Sequence, residues 1–240
     1  MEDSSRNKKV PVHVSIILDG NGRWAREQGK ERVYGHLHGI ESVRAVTEES
    51  VAQGVRYLSL YTFSEENWNR PAEEVSYLMG LMMKSIAGEL QMMMDNGVRF
   101  VVLGNRDRLS AVMNEAIDRT MELTSGNTAL TLIVFLSYSG KWDIFEAALK
   151  LAREAVADPS LLDRVQLPDF DRYLVTAGIP DPDLIIRTSG EQRISNYLLW
   201  QGAYSEFYFT DVLWPDFRKE QYRAALEEYA RRDRRYGKVK

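Results

Sequence analysis

Two kinds of apolar pattern alternate along the chain. Six short runs rich in β-branched residues are typical of buried strands and lie at 14–18, 55–63, 98–104, 130–138, 184–189 and 206–211. Longer segments with helical spacing of apolar residues lie at 41–53, 72–96, 105–124, 142–157, 169–177, 193–201 and 218–234. Near-continuous apolar strands separated by helices predict an α/β fold with a mostly parallel six-stranded sheet surrounded by helices.

The chain divides most simply into a short tail and one domain. Residues 1–11 are polar and are predicted to form a disordered N-terminal tail. The remainder, 12–240, contains no repeat, no low-complexity tract and no linker rich in proline or glycine. Its length suits one hydrophobic core, so we expect a single domain.

Composition and charge remove several classes of function. The chain has no cysteine, which excludes disulfides and cysteine-based zinc sites, and its three histidines argue against a histidine-rich metal site. A formal net charge of -4 argues against general nucleic-acid binding. The N-terminus lacks the apolar region of a signal peptide, and no apolar run approaches the ~20 residues that span a bilayer. We therefore expect a cytoplasmic protein.

Polar side chains are concentrated where the predicted strands end. Four such segments are DGNGR after the first run, SEENWNRP after the second, SYSGKWD after the fourth and RTSGEQRIS at the fifth. Ligands of parallel α/β sheets bind beyond the carboxyl ends of the strands. Arginines, small hydroxyls, glycines and carboxylates together suit a phosphate group bound with a metal ion.

The first of these segments, Asp19 to Arg23, can be interpreted in three ways. Gly20, Asn21 and Gly22 can expose backbone N–H groups at a helix start, Arg23 can add a charged fork, and Asp19 can hold Mg²⁺ between itself and the anion. GNGRWA also fits a dinucleotide-binding fingerprint, although the second strand ends too far on for the expected ribose-binding acid. The third interpretation is a glycine-rich surface turn.

Three further groups are candidates for the same site, each with a structural alternative. Arg32 and His36 are four residues apart and share a face if the segment is helical. The same spacing would also occur for a solvated arginine and a histidine that caps a helix. Ser64, Asn67, Trp68 and Arg70 suit a loop closing over a ligand or an ordinary helix start with a packed tryptophan. A second anion site or surface ion pairs would explain Arg187, Arg193 and Ser195. Glu206 is either a metal ligand or an ordinary charged residue at a strand start.

Two longer features are also open to two interpretations. The segment 72–96 carries apolar residues, many of them methionine, at helical spacing, which is typical of a core stripe. Flexible methionines can also line a passage for a variable apolar ligand. The basic C-terminal run 231–240 suits a solvated tail, an anionic membrane surface or a partner subunit.

Five motifs in this order resemble the cis-prenyltransferase family over about residues 12 to 236. They are HVSIILDGNGRWA, GH at 35–36, YTFSEENWNRP, DLIIRTSGEQRISNYLLWQ and AYSEFYFTDVLWPDF. The resemblance implies a parallel sheet with an apolar tunnel, usually a homodimer, and a requirement for Mg²⁺. The implied reaction is repeated condensation of isopentenyl diphosphate onto farnesyl diphosphate with cis double bonds. The product would be a long polyprenyl diphosphate such as undecaprenyl diphosphate, the lipid carrier for cell-wall glycans, delivered by transient contact with the inner membrane surface.

The resemblance also implies roles for individual residues. Asp19 would be the catalytic carboxylate and a metal ligand, with Glu206 as the second metal carboxylate, and Asn67 the family's proton acceptor. A diphosphate oxygen or Asp19 is a chemically easier acceptor than a neutral amide. The implied substrate-binding residues are Gly20, Asn21, Gly22, Arg23, Trp24, Arg32, His36, Ser64, Glu65, Glu66, Trp68, Arg70, Arg187, Arg193, Ile194 and Ser195.

Three positions depart from the family pattern. Lys141 stands where arginine is frequent, Gln192 where histidine occurs and Glu65 where serine occurs. None is an implied metal or diphosphate ligand, so activity is expected to persist. Two other hypotheses remain: a non-catalytic partner subunit of this fold, which the intact Asp19 and arginine motifs oppose, and a nucleotide-dependent enzyme that uses GNGRWA.

Overall fold

The computed structural model describes residues 9–234, and residues 1–8 and 235–240 lie outside the described residues. Most of the predicted tail and most of the basic C-terminal run therefore fall outside this range. Residues 9–11 form neither helix nor strand. None of the helices within 9–234 is long and apolar enough to cross a bilayer.

One six-stranded sheet forms the centre of the molecule, as predicted. Its strands are β1 (His13–Ile17), β2 (Tyr57–Ser64), β3 (Val98–Leu103), β4 (Leu130–Tyr138), β5 (Leu184–Arg187) and β6 (Glu206–Phe209). The order is β3-β4-β2-β1-β5-β6, and every neighbouring pair is parallel. All carboxyl ends therefore lie at one edge, and β1, the central strand, delivers its polar continuation there.

Helices cover the two faces of the sheet. They are α1 (Asn21–Glu27), α2 (Arg32–Gln53), α3 (Ala72–Gly88), α4 (Leu90–Asp95), α5 (Ala111–Leu123), α6 (Gly140–Ala157), α7 (Leu161–Arg164) and α8 (Lys219–Arg231). The largest buried cluster joins β1, β2, β3 and β4 with α2, α3, α5 and α8. Because helices cover both faces, most residues of the strands are apolar.

Several predicted helices differ from the observed ones. The segment 193–201 was predicted to be helical and forms turns instead, because Ser195, Asn196 and Leu198 have positive φ values of 50°, 59° and 43°. The predicted helix 169–177 is a 3-10 segment at Leu167–Tyr173 followed by turns. The predicted helix 72–96 is divided at Glu89 into α3 and α4.

Two helical segments near the N-terminus were not predicted. Helix α1 has seven residues, too few for a periodic apolar pattern to show. Helix α2 was expected from residue 41 and begins at Arg32, nine residues earlier. Gly35 explains their close contact, because a Cβ there would stand 1.9 Å from the carbonyl oxygen of Asn21. The packing of α1 against α2 brings their polar residues to the carboxyl edge of the sheet.

Candidate functional site

Two connected cavities open at the carboxyl edge of the sheet. The larger, about 400 Å³, runs between the sheet and helices α2 and α3, and the smaller, about 200 Å³, lies beside α1. Both are lined by Asp19, Asn21, His36 and Arg70. Residues of three of the four strand-end segments line these cavities, whereas no residue of the fourth segment, 137–143, does so.

Asp19 and Arg187 form the centre of the shared mouth. Arg187 Nη2 donates to Asp19 Oδ2 at 2.8 Å, and the Gly20 N–H donates to Asp19 Oδ1 at 2.7 Å. The backbone of Asp19 is fixed as well, since its N–H donates to Thr188 Oγ1 at 2.9 Å. Gly20 has a φ of 104°, and a Cβ there would meet Leu213 at 2.9 Å. Only glycine accommodates both the positive φ and the lack of space for a Cβ. The backbone at Gly20 therefore helps to orient the Asp19 carboxylate toward the mouth.

The charge state of Asp19 follows from these contacts. Burial raises its pKa, but the hydrogen bond and charge of Arg187 outweigh that effect and hold the pKa below the ordinary value. Asp19 is therefore an ionised carboxylate, and its side chain keeps 34% exposure, so oxygen lone pairs face the mouth. Such a carboxylate, combined with phosphate oxygens, is a donor set that suits Mg²⁺.

Arg187 is buried, and both of its terminal nitrogens donate within the chain, whereas its Nε has no hydrogen-bond partner. Besides Asp19, it donates to Ser195 Oγ at 2.8 Å and to the carbonyl oxygen of Arg193. In the free chain, Arg187 connects the carboxylate of Asp19, which follows β1, to the 193–195 turn. Arg193 and Ser195 line the larger cavity, so the structure does bring these three predicted residues together.

Five cationic or polarisable side chains surround the smaller cavity. They are Arg23, Arg26, His36, Arg32 and Arg70. Arg26 was not predicted, although its spacing of three residues from Arg23 on a helix was a usable signal. Gly22 lies under Arg32, because a Cβ at Gly22 would stand 3.2 Å from the Arg32 guanidinium carbon. The cavity thus combines a helix start with arginines, which is an anion-binding arrangement.

His36 is neutral in this cationic surrounding. Burial, together with the charges of Arg70 and Arg32, lowers its pKa to about 4, while the charge of Glu74 opposes them. A neutral imidazole can donate one hydrogen bond to an anion without adding a charge.

Two carboxylates neutralise the arginines in the free chain. Glu191 accepts from Arg23 Nη2 at 3.0 Å and also pairs with Arg193. Glu74 accepts from Arg70 Nη1 at 3.1 Å and lies 3.6 Å from Arg32 Nη2. Neither Glu191 nor Glu74 was among the predicted site residues. An incoming anion must compete with both carboxylates for the guanidinium groups.

The loop after β2 has a different organisation from the one predicted. Ser64 Oγ accepts from the Asn67 N–H at 3.2 Å, and Asn67 Oδ1 accepts from the Ser64 N–H at 3.1 Å. This reciprocal capping box fixes the 3-10 segment Glu65–Asn69. Both residues line the larger cavity, but the amide oxygen of Asn67 is already occupied. The structure therefore gives no support to Asn67 as a proton acceptor.

Glu65, Glu66 and Trp68 hold this loop rather than line a cavity. Glu65 accepts from Ser137 Oγ at 2.5 Å and from Arg108 Nη1 at 2.8 Å. Trp68 Nε1 donates to Ser137 Oγ at 2.8 Å. Glu66 accepts from Asn196 Nδ2 at 2.6 Å, which joins the loop to the 193–196 turn. The departure at Glu65 thus has a partner of its own in Arg108.

Trp24 and Ile194, like the three loop residues just described, do not line either cavity. Trp24 Nε1 donates to Asp216 Oδ2 at 2.9 Å, and its ring packs against Tyr34 and His38. Trp24 thus lines neither cavity, and its role as a wall near the reacting carbons stays a prediction.

Glu206 lies at the opposite end of its strand from the mouth. It pairs with Leu184 in register, whereas Phe209 is level with Arg187, so Glu206 stands three residues before the mouth. That separation is about 10 Å at about 3.3 Å per residue. Its carboxylate accepts from Arg232 Nη1 at 3.1 Å. Within one chain, Glu206 cannot share a metal ion with Asp19, and no group of three metal-ligating side chains occurs in residues 9–234.

The deeper part of the larger cavity is apolar. Its walls include the following side chains of α2, α3, α4 and the sheet: Ile40, Val43, Leu60, Phe63, Leu78, Met79, Met82, Ile86, Met92, Met93, Phe100, Leu132 and Val134. The expected apolar tunnel is therefore present, and methionines of the 72–96 segment do line it. A polar mouth that leads into an apolar passage suits an amphiphile with an anionic head and a hydrocarbon tail.

Comparison with known proteins agrees with this geometry. Residues 17–237 match the family model described as "Putative undecaprenyl diphosphate synthase". The chain is 47% identical to the isoprenyl transferase of Porphyromonas gingivalis over 231 residues, which cover 96% of this chain and 91% of that protein. It is 44% identical to the ditrans,polycis-undecaprenyl-diphosphate synthase ((2E,6E)-farnesyl-diphosphate specific) of Pasteurella multocida over 228 residues, 95% of each protein.

A solved structure shows the same fold. The lavandulyl diphosphate synthase of Lavandula x intermedia, in complex with dimethylallyl diphosphate, matches with a TM-score of 0.92 at 32% identity. The match covers 95% of this chain and 99% of that chain.

Proposed function

This chain belongs to the undecaprenyl diphosphate synthase family of cis-prenyltransferases, and we propose that it condenses isopentenyl diphosphate repeatedly onto farnesyl diphosphate. The new double bonds are cis, and the product is a long polyprenyl diphosphate such as undecaprenyl diphosphate. One observation carries the proposal: the ionised Asp19 stands between an arginine-rich cavity and a long apolar one. The names of the relatives from P. gingivalis and P. multocida support it.

The smaller cavity suits the allylic diphosphate. Breaking the allylic C–O bond places negative charge on the leaving diphosphate. Arg23, Arg26, Arg32 and Arg70 converge where that charge develops, and the start of α1 presents backbone N–H groups. These fixed charges stabilise the diphosphate more in the transition state, where it gains negative charge, than in the bound substrate. The barrier to ionisation is therefore lowered.

The second substrate suits the 187–195 side of the mouth. Arg193 and Ser195 line the cavity beside Asp19, so a diphosphate held there brings its hydrocarbon to the mouth of the apolar passage. Two anionic substrates close together require several cations, and the mouth supplies them from α1, α2, β5 and the loop after β2. After each addition, the lengthened chain extends into the apolar cavity, where it is shielded from water.

Mg²⁺ is part of this proposal. Asp19 would hold the ion together with diphosphate oxygens, since a single well-placed carboxylate and substrate phosphates are a frequent Mg²⁺ site. A bound Mg²⁺ would neutralise the charge of the leaving diphosphate. For the proton that leaves C2 of isopentenyl diphosphate, Asp19 or a diphosphate oxygen is a better acceptor than Asn67, whose amide oxygen caps the loop.

The test uses purified protein, farnesyl diphosphate, radiolabelled isopentenyl diphosphate and Mg²⁺. Butanol-extractable label is resolved by chain length, with EDTA, Asp19→Asn and the surface variant Asp163→Asn as controls. We expect a long product that disappears with EDTA and with Asp19→Asn, and persists with Asp163→Asn. A single condensation product, or none from folded protein, would overturn the proposal. No product with intact folding would instead favour the non-catalytic partner subunit.

Two assembly properties complete the proposal. We infer a homodimer and a transient contact with the membrane surface for product release. Light scattering measures the mass in solution, and flotation with anionic vesicles measures the contact with and without product. A monomer at assay concentration, or product release into detergent-free buffer without vesicles, would contradict these two points.

A further inference from the structure

One charged residue that lines the larger cavity stands far from the charges of the mouth. Among the described lining residues, Asp19, Arg70, Arg187 and Arg193 stand at the mouth, while the carboxylate of Glu89 stands at the far end of α3. Helix α3 has seventeen residues, which span about 25 Å at 1.5 Å per residue. The mouth groups cannot neutralise Glu89 from that distance, and the other polar group nearby, Ser85 Oγ, donates to the carbonyl oxygen of Leu81 at 2.8 Å.

Glu89 is neutralised by a residue on another helix. Arg44 of α2 donates to both of its carboxylate oxygens, from Nη2 at 2.6 Å and from Nε at 3.0 Å. Arg44 keeps 51% exposure and Glu89 only 12%, so the pair crosses from the solvent to the cavity wall. A two-pronged bond of this kind fixes both direction and distance. The pair therefore fastens α2 to the end of α3 beside the deep part of the cavity.

The backbone beside Glu89 is suited to movement. Helix α3 ends at Gly88, and α4 begins at Leu90, so Glu89 is the joint between them. A Cβ at Gly88 would meet nothing within 4 Å, so close packing does not explain the glycine there. Glycine at a helix end lowers the cost of a backbone change. Separation of the Arg44–Glu89 pair would let α3 and α4 move away from α2 at this joint.

We propose that the Arg44–Glu89 ion pair is a gate in the cavity wall that opposes growth of the product beyond it. This inference rests on the proposed function. The cavity of about 400 Å³ is in the range that holds a drug-sized ligand, whereas a long polyprenyl chain needs more room. When the hydrocarbon tip reaches Glu89, further growth requires the pair to separate or move into the solvent. A strong pair shortens the product, and a weakened pair lengthens it.

The first experiment measures product length. In Glu89→Gln, the amide keeps the shape and loses the charge, and the main product is expected to lengthen by about one isoprene unit or more because the gate opens more easily. The double variant Arg44→Glu/Glu89→Arg restores a pair and is expected to return the product toward the original length. Glu48→Gln is the matched control, since Glu48 is on α2 but pairs with Lys219 of α8. Its product length should not change.

A second experiment does not depend on catalysis. Unreactive saturated alkyl phosphates of increasing length are titrated by calorimetry, and each methylene buried in the cavity should tighten binding by about fourfold. In the original chain this gain should stop at a certain length, and in Glu89→Gln it should continue to longer chains. Glu89→Leu serves as a second variant if Glu89→Gln does not fold.

The outcomes separate the two proposals. If no protein makes product but the alkyl series shows the extended gain, the proposed function fails, while the ion pair still limits the length of hydrocarbon that the cavity accepts. If product forms with the same or a shorter length in Glu89→Gln, or if the double variant matches Glu89→Gln, the gate is overturned. An unchanged alkyl series in Glu89→Gln overturns it as well.

Discussion

The mouth and the depth of the large cavity are built in opposite ways. At the mouth, Asp19 and Arg187 are fixed by hydrogen bonds from a strand end, a helix start and the 193–195 turn. In the depth, the walls include Met79 and Met82, whose unbranched side chains adapt to different shapes. Bond breaking at one point needs fixed charges, whereas storage of a growing chain needs a wall that can change.

Backbone strain shows the same contrast. Within residues 9–234, the non-glycine residues with positive φ are Ser137, Ser189, Ser195, Asn196 and Leu198, all of them in or after β4 and β5. Such conformations cost free energy and persist only where surrounding contacts enforce them. The residues of α3 that line the depth lie in an ordinary helix. Two of the strained residues, Ser189 and Ser195, thus lie in the segment 187–195 that carries the charges of the mouth, and none lies in α3.

Arg187→Lys should give the largest effect on activity, because it removes hydrogen bonds that fix the charged groups at the mouth. Lysine cannot reach Asp19, Ser195 and the carbonyl oxygen of Arg193 together, because it lacks the guanidinium fork. We expect kcat to fall by at least about 100-fold, while the free energy of unfolding falls by only about 1–3 kcal/mol. Steady-state kinetics and urea denaturation measure both. Arg172→Lys, in a surface pair, is the control, and equal losses in the two variants would contradict the prediction.

Gly35→Ala should give the next largest effect. The added methyl group would stand 1.9 Å from the carbonyl oxygen of Asn21, so α1 must move and carry Arg23 with it. We expect unfolding to require about 1–3 kcal/mol less and the KM for the allylic diphosphate to rise. Gly80→Ala is the matched control, because a Cβ at Gly80 meets nothing within 4 Å. Thermal unfolding that is unchanged in Gly35→Ala would show that the two helices can separate without cost.

Met82→Trp tests the adaptable end. A bulky, less flexible ring in the cavity wall should reduce the space available to the chain, so the main product should shorten while the rate of the first condensation stays within about threefold. Product analysis by chain length and single-turnover kinetics distinguish the two effects. Met94→Trp, at a position on α4 that does not line the cavity, should leave the length unchanged. A slower first step with unaltered length would contradict the proposed division of roles.

The smallest expected effect concerns protons at the mouth. The pKa of His36 is about 4 in the free chain, and a bound diphosphate should raise it, because an adjacent anion favours the charged imidazole. A pKa that rises on binding means proton uptake, and affinity that weakens as pH increases from about 4 to the raised pKa of His36 in the complex. Calorimetry in two buffers of different ionisation enthalpy measures the uptake. The His36→Asn variant should take up fewer protons on binding. Equal uptake in the two proteins would show that His36 is not the group that is protonated.

Much of the fold and part of the site could be predicted from local sequence. Buried strands in a parallel sheet are apolar on both faces, so all six appear as short apolar runs. Because their carboxyl ends share one edge, Asp19, Arg70, Arg187 and Ser195 could be placed in one site before any contact was known. Helix α1 could not be predicted, since its position depends on the contact of Gly35 with Asn21, which local periodicity does not encode.

The sequence by itself determined the order of the elements, the family and the polar residues that gather at one edge of the sheet. Only the tertiary structure decided which of those residues face the cavities. Trp24 turns outward to Asp216, Asn67 caps its own loop, and Glu206 stands at the far end of β6. The physical reason is that motif spacing fixes the neighbours of a residue along the chain, whereas direction and hydrogen-bond partners depend on contacts between distant segments. For the same reason, the Arg44–Glu89 pair could not be predicted from the sequence, since forty-five positions separate the two residues that meet at the cavity wall.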